Sequence, residues 1–247
     1  MTLQLNGIVH SYGVRPVLHD IHASAEPGRV TVLVGPNAAG KTTLLRIASG
    51  LLAPNEGAVH WRGDLIAAMT DRKRAASVSW LSQRSRQDVP LLVREVIELG
   101  RLRLGDVDSD QLLERLELID LLERPYPALS VGQQQRVGLA RVLHQHEPGG
   151  LIVLDEPTAP LDPRHATLAM RLLCEAAQQG ATVVVSMHDL SLAGALADDA
   201  WLLVEGALRA SGTAHDVLEP GILESAFGVA FERLLRRDGS SWLAPQS

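Results

Sequence analysis

The chain has 247 residues, of which 46% are hydrophobic, so it is long enough to bury a sizeable core. Its formal net charge is -6 and no long basic run is present, which argues against a nucleic-acid partner. The single cysteine, Cys174, excludes an internal disulfide, and no apolar run approaches the roughly 20 residues that a membrane-spanning helix needs.

The first residues, MTLQLNGIVHSYG, alternate apolar and polar side chains, which predicts a β-strand. They lack the basic-then-apolar layout of a signal peptide, so we expect no export. Short β-branched runs follow at residues 30–34, 151–154 and 182–187. These runs are apolar on both faces and each precedes a helical pattern, which predicts a layered α/β fold with its functional loops at the carboxyl ends of parallel strands.

Helical patterns dominate between about residues 84 and 145 and predict an inserted helical lobe. They occur in VREVIELGRLRL, SDQLLERLELIDLLER and VGQQQRVGLARVLHQ. Further along the chain, WLLVEG and ALRASG flank Glu205 and Gly206 as a predicted β-hairpin. A small tail then closes the chain.

Residues 35–43, GPNAAGKTT, match the phosphate-loop pattern G-x-x-x-x-G-K-[ST] between a predicted strand and a predicted helix. In such a loop, backbone N–H groups and the positive end of the helix dipole face phosphate oxygens. We expect Lys41 to reach the β- and γ-phosphates of a bound nucleotide and Thr42 to offer its hydroxyl to Mg²⁺. The alternative is a glycine-rich turn without a ligand. The predicted nucleotide-binding residues here are Gly35, Pro36, Asn37, Ala38, Ala39, Gly40, Lys41, Thr42 and Thr43.

The segment LIVLDEPT ends a buried strand on two adjacent carboxylates, where an uncompensated charge is costly. We expect Asp155 to hold Mg²⁺ through water and Glu156 to polarise the water that attacks the γ-phosphate. The alternative is a pair of acids that cap a strand end at the surface.

The phosphate loop, LSVGQQQR at residues 129–136 and LDEPTAPLD ending at Asp162 together resemble the nucleotide-binding subunit of an ABC transporter. The LSVGQ element is specific to that family, and the resemblance covers essentially the whole chain. It implies a single domain over residues 1–247 that hydrolyses ATP. Residues 1–83 and 146–247 are expected to form a P-loop NTPase (RecA-like) core with an antiparallel β subdomain and a C-terminal extension, and residues 84–145 to form the α-helical lobe.

Ser130 and Gln133 have the spacing of a capping box, so a helix is expected to begin there with exposed N–H groups, and Gly132 leaves space for an anion. A plain helix cap is the alternative. Because this element and the phosphate loop lie in different predicted lobes, we expect each ATP to bind between the loop of one chain and the Ser130 helix of another. Such sites require a head-to-tail homodimer.

The resemblance implies further roles. Tyr12 is expected to stack on adenine, with a half-buried strand tyrosine as the alternative. Gln83 matches the glutamine that links Mg²⁺ and the attacking water to the transporter contact. His188 matches the histidine that bonds the γ-phosphate, where the alternative is a surface residue or a partner of the helix start at Asp189. Asp162 matches the acid that communicates across the dimer.

Three residues depart from the family pattern: Ala38 and Val131 stand where glycine is common, and Pro160 where serine or alanine is usual. None removes a charged or metal-binding group. They put in question the rate and the fine geometry of the reaction.

One phosphate loop and one LSVGQ element indicate a cassette that works with separate transmembrane permease subunits, and through them with a substrate-binding protein, at the cytoplasmic face of the inner membrane. VPLLVREVIELGR and the tail from TAHDVLEPG resemble those of importers for iron-siderophores, haem and cobalamin, with the closest likeness to cobalamin-importer ATPases. A permease helix is expected to dock near Gln83 and the following RSRQDVPLLV.

The same motifs also allow other functions. The chain could serve another importer or an exporter, or it could be a non-transport module that uses ATP as a dimer switch. P-loop kinases and GTPases are disfavoured, because neither explains LSVGQ and no guanine-reading N-K-x-D tetrad is found.

Overall fold

The computed structural model describes residues 2–83, 90–100, 109–235 and 241–246. Its strands in chain order are β1 (Leu3–Tyr12), β2 (Arg15–Ala25), β3 (Val30–Val34), β4 (Glu56–Trp61), β5 (Asp64–Leu65), β6 (Val78–Leu81), β7 (Leu151–Asp155), β8 (Thr182–Ser186), β9 (Asp199–Val204), β10 (Ala207–Thr213), β11 (Phe231–Leu235) and β12 (Ser241–Pro245).

The helices in chain order are α1 (Lys41–Ala48), α2 (Asp71–Ser77), α3 (Val93–Glu98), α4 (Ser109–Arg115), α5 (Val131–Gln145), α6 (Pro163–Gln178), α7 (Leu190–Leu196), α8 (Ala214–Val217) and α9 (Pro220–Phe227). Short 3₁₀ turns lie at Ile66–Ala68, Ile119–Leu121 and Tyr126–Ala128. Within the described residues, none of the helices is both long and apolar enough to cross a bilayer.

Among the described residues, six strands form the central sheet in the order β10-β9-β3-β8-β7-β6. All are parallel except β10, which pairs antiparallel with β9. The predicted strand at residues 30–34 is β3, and those at 151–154 and 182–187 are β7 and β8, which end at Asp155 and Ser186. The parallel arrangement brings the ends of these strands to one edge of the sheet, where the functional loops begin.

Both faces of the central sheet are covered, which explains the continuous apolar runs. Val32 and Val34 of β3 belong to a core with α5, α6 and α7, whereas Leu33 points into a second core with α1 and the N-terminal sheet. This alternation follows from the two-residue period of a strand. Each such side chain contributes about 1.5–3 kcal/mol when fully buried, so a polar substitution on either face would destabilise the sheet.

The N-terminal sheet is antiparallel and has the strand order β2-β1-β4-β5. Its first strand is the one predicted from the alternating pattern at the start of the chain. Leu3, Ile8 and Trp61 of this sheet are fully buried in the second core. The sheet therefore packs against α1, the helix that follows the phosphate loop.

Helices also occupy the described part of residues 84–145, although the division of the chain into lobes stays a prediction. The pattern SDQLLERLELIDLLER is broken: α4 ends at Arg115, and Glu117 adopts a left-handed conformation with φ 53°. Arg136 of α5 donates to the carbonyls of Leu116 and Glu117, which holds the chain at this break. Arg115 in turn forms two hydrogen bonds with Glu175 of α6, at 2.7 and 2.8 Å.

The predicted hairpin around Glu205 and Gly206 is the β9–β10 connection. Farther along, β12 packs against α7, where the Ser191 hydroxyl donates to the Leu243 carbonyl. Cys174 is half-buried in α6 and packs against the first core.

Candidate nucleotide-binding site

The phosphate loop connects the end of β3 to the start of α1. Its first residue lies against the β9 backbone: a Cβ on Gly35 would sit 2.0 Å from the Leu203 carbonyl oxygen, so only glycine fits. Ala38, at a position where the family commonly has glycine, adopts φ 61°. Such a left-handed conformation costs an L residue about 1–2 kcal/mol, so the surrounding contacts must hold the loop in shape.

Lys41 is a buried cation at the start of α1. Its Nζ donates to the carbonyls of Gly35, at 2.7 Å, and of Pro36, at 2.9 Å. Burial lowers the pKa of the Lys41 amine, and the negative charges of Glu156 and Asp155 partly offset this shift. An anionic ligand in this place would stabilise the ammonium further.

A second group of polar residues lies where β7 and β8 end. The buried Asp155 carboxylate accepts two hydrogen bonds, from the Thr42 hydroxyl at 2.8 Å and from the Ser186 hydroxyl at 2.6 Å. These contacts connect the last residues of two neighbouring strands to the phosphate-loop helix. They explain how a charge at the end of an otherwise apolar strand is accommodated.

Glu156 follows Asp155 and adopts a left-handed conformation with φ 50°. Its backbone N–H donates to the Ser186 hydroxyl at 2.9 Å. One oxygen of its carboxylate accepts from Gln83 Nε2 at 2.6 Å, and the other accepts from His188 Nε2. Two side chains from separate loops thus orient a buried carboxylate toward the phosphate loop.

These side chains converge on one cavity of about 340 Å³. It is lined by Val17, Asn37, Ala38, Ala39, Gly40, Lys41, Thr42, Thr43, Gln83, Glu156 and His188. The structure therefore brings together most of the predicted loop residues with the predicted base and its two neighbours. Asp155 adjoins the cavity through its hydrogen bond to Thr42.

Tyr12 does not line this cavity. It lies at the end of β1, is half-exposed and meets the His10 ring edge-on with centroids 4.8 Å apart. Its predicted stacking role stays a prediction.

Ser130 and Gln133 also lie away from the cavity, and they form the predicted capping box at the start of α5. The Gln133 N–H donates to the Ser130 hydroxyl at 3.3 Å, and the Ser130 N–H donates to the Gln133 side chain at 3.0 Å. Gly132, predicted to leave space for an anion, lies against this chain's own loop: a Cβ there would sit 3.1 Å from the Pro160 carbonyl oxygen. Gln135 holds the same loop through the Pro157 carbonyl, at 3.0 Å.

Asp162 is the N-cap of α6 and accepts from the His165 N–H at 2.9 Å and from its ring at 2.8 Å. The bond from the His165 backbone N–H, supported by the ring, lowers the pKa of the Asp162 carboxyl. Within this chain the residue therefore fixes a helix start, and its predicted part in communication across a dimer stays a prediction.

Two residues that the motifs do not predict, Ser186 and Val17, also belong to the site. Ser186 fixes both Asp155 and the Glu156 backbone, and Val17 of β2 supplies an apolar part of the cavity wall. A serine at the end of a predicted strand, beside another strand that ends in acids, was the available signal for Ser186. No local sequence signal points to Val17, because its position at the cavity depends on how the N-terminal sheet packs.

The fold and the site are those of a nucleoside triphosphatase with a phosphate loop. A family model described as ABC transporter matches residues 18–159, which is more than half of the chain. The chain is 38% identical over 236 residues to the hemin import ATP-binding protein HmuV of Pseudomonas putida, covering 92% of each chain. It is 40% identical over 227 residues to the protein of the same name in Rhizobium meliloti, covering 87% of this chain and 86% of the relative.

A dimeric structure of an ATP-binding cassette, in a post-hydrolysis state with ADP and phosphate bound, matches with a TM-score of 0.76 and 25% identity, covering 86% of this chain and 98% of that one. The chain therefore belongs to the ABC transporter family. It has the fold of an ABC ATP-binding cassette and hydrolyses ATP. Cassettes of this family form dimers and work with permease subunits.

Proposed function

We propose that this chain powers the import of haem or a related metal chelate, bound to its permease at the cytoplasmic face of the inner membrane. The identity to proteins named for hemin import, over nearly the whole of both chains, is the observation that favours haem. Cobalamin and iron-siderophores, whose importers the sequence also resembles, are the chemically related alternatives. A substrate-binding protein would deliver the chelate to the permease.

In this proposal Lys41 and the phosphate loop bind the phosphates of ATP, whose negative charge would replace the carbonyl partners of the buried ammonium. Glu156 acts as general base toward a water molecule beside the γ-phosphate. Gln83 and His188 hold the Glu156 carboxylate in place. His188 is half-exposed, so its ring can contact the γ-phosphate of a bound nucleotide.

Mg²⁺ fits the same site. The Thr42 hydroxyl and the Asp155 carboxylate lie within 2.8 Å of each other, and both are hard oxygen donors. Among the described residues, no cluster of three or more His, Cys, Asp or Glu side chains forms a complete protein cage for a metal. Mg²⁺ would take its remaining ligands from phosphate and water, with Gln83, which also lines the cavity, close by. When bound, Mg²⁺ would neutralise charge on the phosphates.

We further propose that two chains form a head-to-tail homodimer in which Ser130 and Gln133 of one chain face the nucleotide bound by the other. Ser130 and Gln133 do not line the cavity of their own chain, which supports an arrangement in which they face the nucleotide of a partner. Tyr12 would stack on adenine, and Asp162 would lie near the dimer contact.

The permease is proposed to dock where the core meets the helical segment, beside Gln83. Most of the predicted docking segment, including Arg84 and Arg86, lies outside the described residues. Support comes from Gln83 itself, which contacts Glu156 and immediately precedes that segment. Movement of the segment would therefore displace Gln83 and, through it, the carboxylate of the proposed base, Glu156.

The test is ATP-driven uptake in proteoliposomes that contain the chain, its permease and the binding protein. Haem, cobalamin and a ferric siderophore are supplied separately, and ATP turnover and substrate uptake are measured together. We expect haem to be taken up and to stimulate turnover. A Lys41→Ala chain, assembled in the same way, is the matched negative control.

Uptake of cobalamin or the siderophore instead of haem would move the assignment to that chelate. ATP turnover that no permease and no substrate changes would contradict a transport function and favour a dimer switch.

A further inference from the structure

The turn between β9 and β10 touches the phosphate loop through its backbone. Glu205 and Gly206 form this two-residue connection, with φ angles of 49° and 75°. The Gly206 N–H donates to the Ala39 carbonyl at 3.0 Å, and the Gly206 carbonyl accepts from the His19 N–H of β2 at 2.8 Å. A single residue of the turn therefore joins the phosphate loop to the N-terminal sheet.

Gly206 leaves no room for a side chain. A Cβ there would lie 2.2 Å from the Val17 carbonyl oxygen and 2.9 Å from the His19 ring. Val17 lines the nucleotide cavity, so a displacement at Gly206 is passed on to the cavity wall. The other end of the phosphate loop rests on the same hairpin, where Gly35 lies against the Leu203 carbonyl.

We propose that Gly206 is a positioning residue of the ATPase, one that holds the phosphate loop in its nucleotide-binding shape from outside the loop. The loop needs such a restraint, because Ala38 is held in a left-handed conformation that an L residue adopts at a cost. Gly35 packs against Leu203 at one end of the loop, and Ala39 is hydrogen-bonded to Gly206 at the other. These two contacts keep the loop between them in its left-handed turn. Gly206 does not line the cavity, and its role is independent of which substrate is transported.

The chain contains a matched control for this idea. Arg62 and Gly63 form the two-residue turn between β4 and β5, with φ angles of 56° and 83°. A Cβ on Gly63 would meet nothing within 4 Å. Alanine at either position introduces the same backbone strain, and only at Gly206 does it also push against neighbours of the phosphate loop.

The experiment compares Gly206→Ala with Gly63→Ala in the intact protein, by thermal unfolding and by the KM for ATP and kcat. Both variants should lose stability from their backbone strain. Only Gly206→Ala should raise the KM for ATP, by at least about tenfold, the effect of misplacing one charge-assisted phosphate contact. An unchanged KM in Gly206→Ala, or an equal rise in both variants, would overturn the proposal.

Hydrogen exchange of the unaltered protein provides a second measurement in case Gly206→Ala does not fold. A non-hydrolysable ATP analogue fixes the phosphate loop, so the Gly206 amide, which is bonded to the loop, should exchange more slowly with it than without it. The Gly63 amide should exchange at the same rate in both states. Equal exchange at Gly206 with and without the analogue would contradict the proposal.

Discussion

At the scale of single residues, the Glu156 carboxylate is the group on which hydrolysis depends in our proposal. Glu156→Gln keeps the size of the side chain and removes the charge that draws a proton from water. ATP should still bind, and hydrolysis should slow at least about a hundredfold, the lower end of general-base contributions. Single-turnover hydrolysis and nucleotide binding, measured side by side, separate the two effects.

Glu123→Gln is a suitable control, because Glu123 pairs with Arg94 on the surface, away from the cavity. Its turnover should match that of the unaltered chain. Near-normal turnover in Glu156→Gln would remove Glu156 from the role of base. The substitution also withdraws a charge that raises the pKa of Lys41, so that pKa should fall further.

Among the elements, helix α5 begins at a residue with two proposed roles, because Ser130 caps the helix and would also contact the nucleotide of a partner. A single substitution can test the two roles separately. Asp is as good an N-cap as Ser, so Ser130→Asp should leave the free energy of unfolding within about 0.5 kcal/mol of its original value. A carboxylate facing the phosphates of a partner's ATP should nevertheless lower ATP turnover by about tenfold or more through charge repulsion. Chemical unfolding and steady-state ATPase assays measure the two quantities.

Thr70→Asp makes the same change at the cap of α2, where the Thr70 hydroxyl accepts from the Lys73 N–H. Turnover should be unaffected there. If Ser130→Asp also hydrolysed ATP normally, Ser130 would be a helix cap and no more.

The sequence predicted those elements whose signal lies within a few residues. The central strands could be predicted because both of their faces are buried, which gives continuous apolar runs in the sequence. The phosphate loop and the capping box could be predicted from the fixed spacing of their residues. Contacts between distant segments were not readable. Ser186 reaches Asp155 because β7 and β8 are neighbours, and Gly206 reaches Ala39 because β9 lies beside β3. Sheet order decides both contacts, and no local pattern encodes it.

At the scale of the whole molecule, the proposed homodimer predicts complementation between two damaged chains. Mixing Lys41→Ala chains with Ser130→Asp chains gives mixed dimers with one intact composite site and one doubly damaged site. If the two sites act independently, turnover should return to about a quarter of the unaltered level, since half of the dimers are mixed and each has one working site. ATPase assays on the mixture measure this return.

A mixture of Lys41→Ala with Glu156→Gln chains is the matched control. Both residues belong to the cavity of one chain, so every site in the mixed dimer keeps a defect and no activity should return. A return of ATP turnover in this control would contradict the composite site. So would the lack of any return in the first mixture, once mixed dimers are shown to form.

The position of β3 between β8 and β9 has a consequence for biosynthesis. Val30 pairs with Val183, and Thr31 pairs with Asp199, so the strand that carries the phosphate loop finds both neighbours late in the chain. Such distant pairings form slowly during folding, because a long loop must close first. A ribosome therefore exposes the phosphate-loop motif long before it delivers the strands that shape it. Chains that stop short of β9 would carry the motif without a formed pocket, and ATP would be consumed only by chains that extend past it.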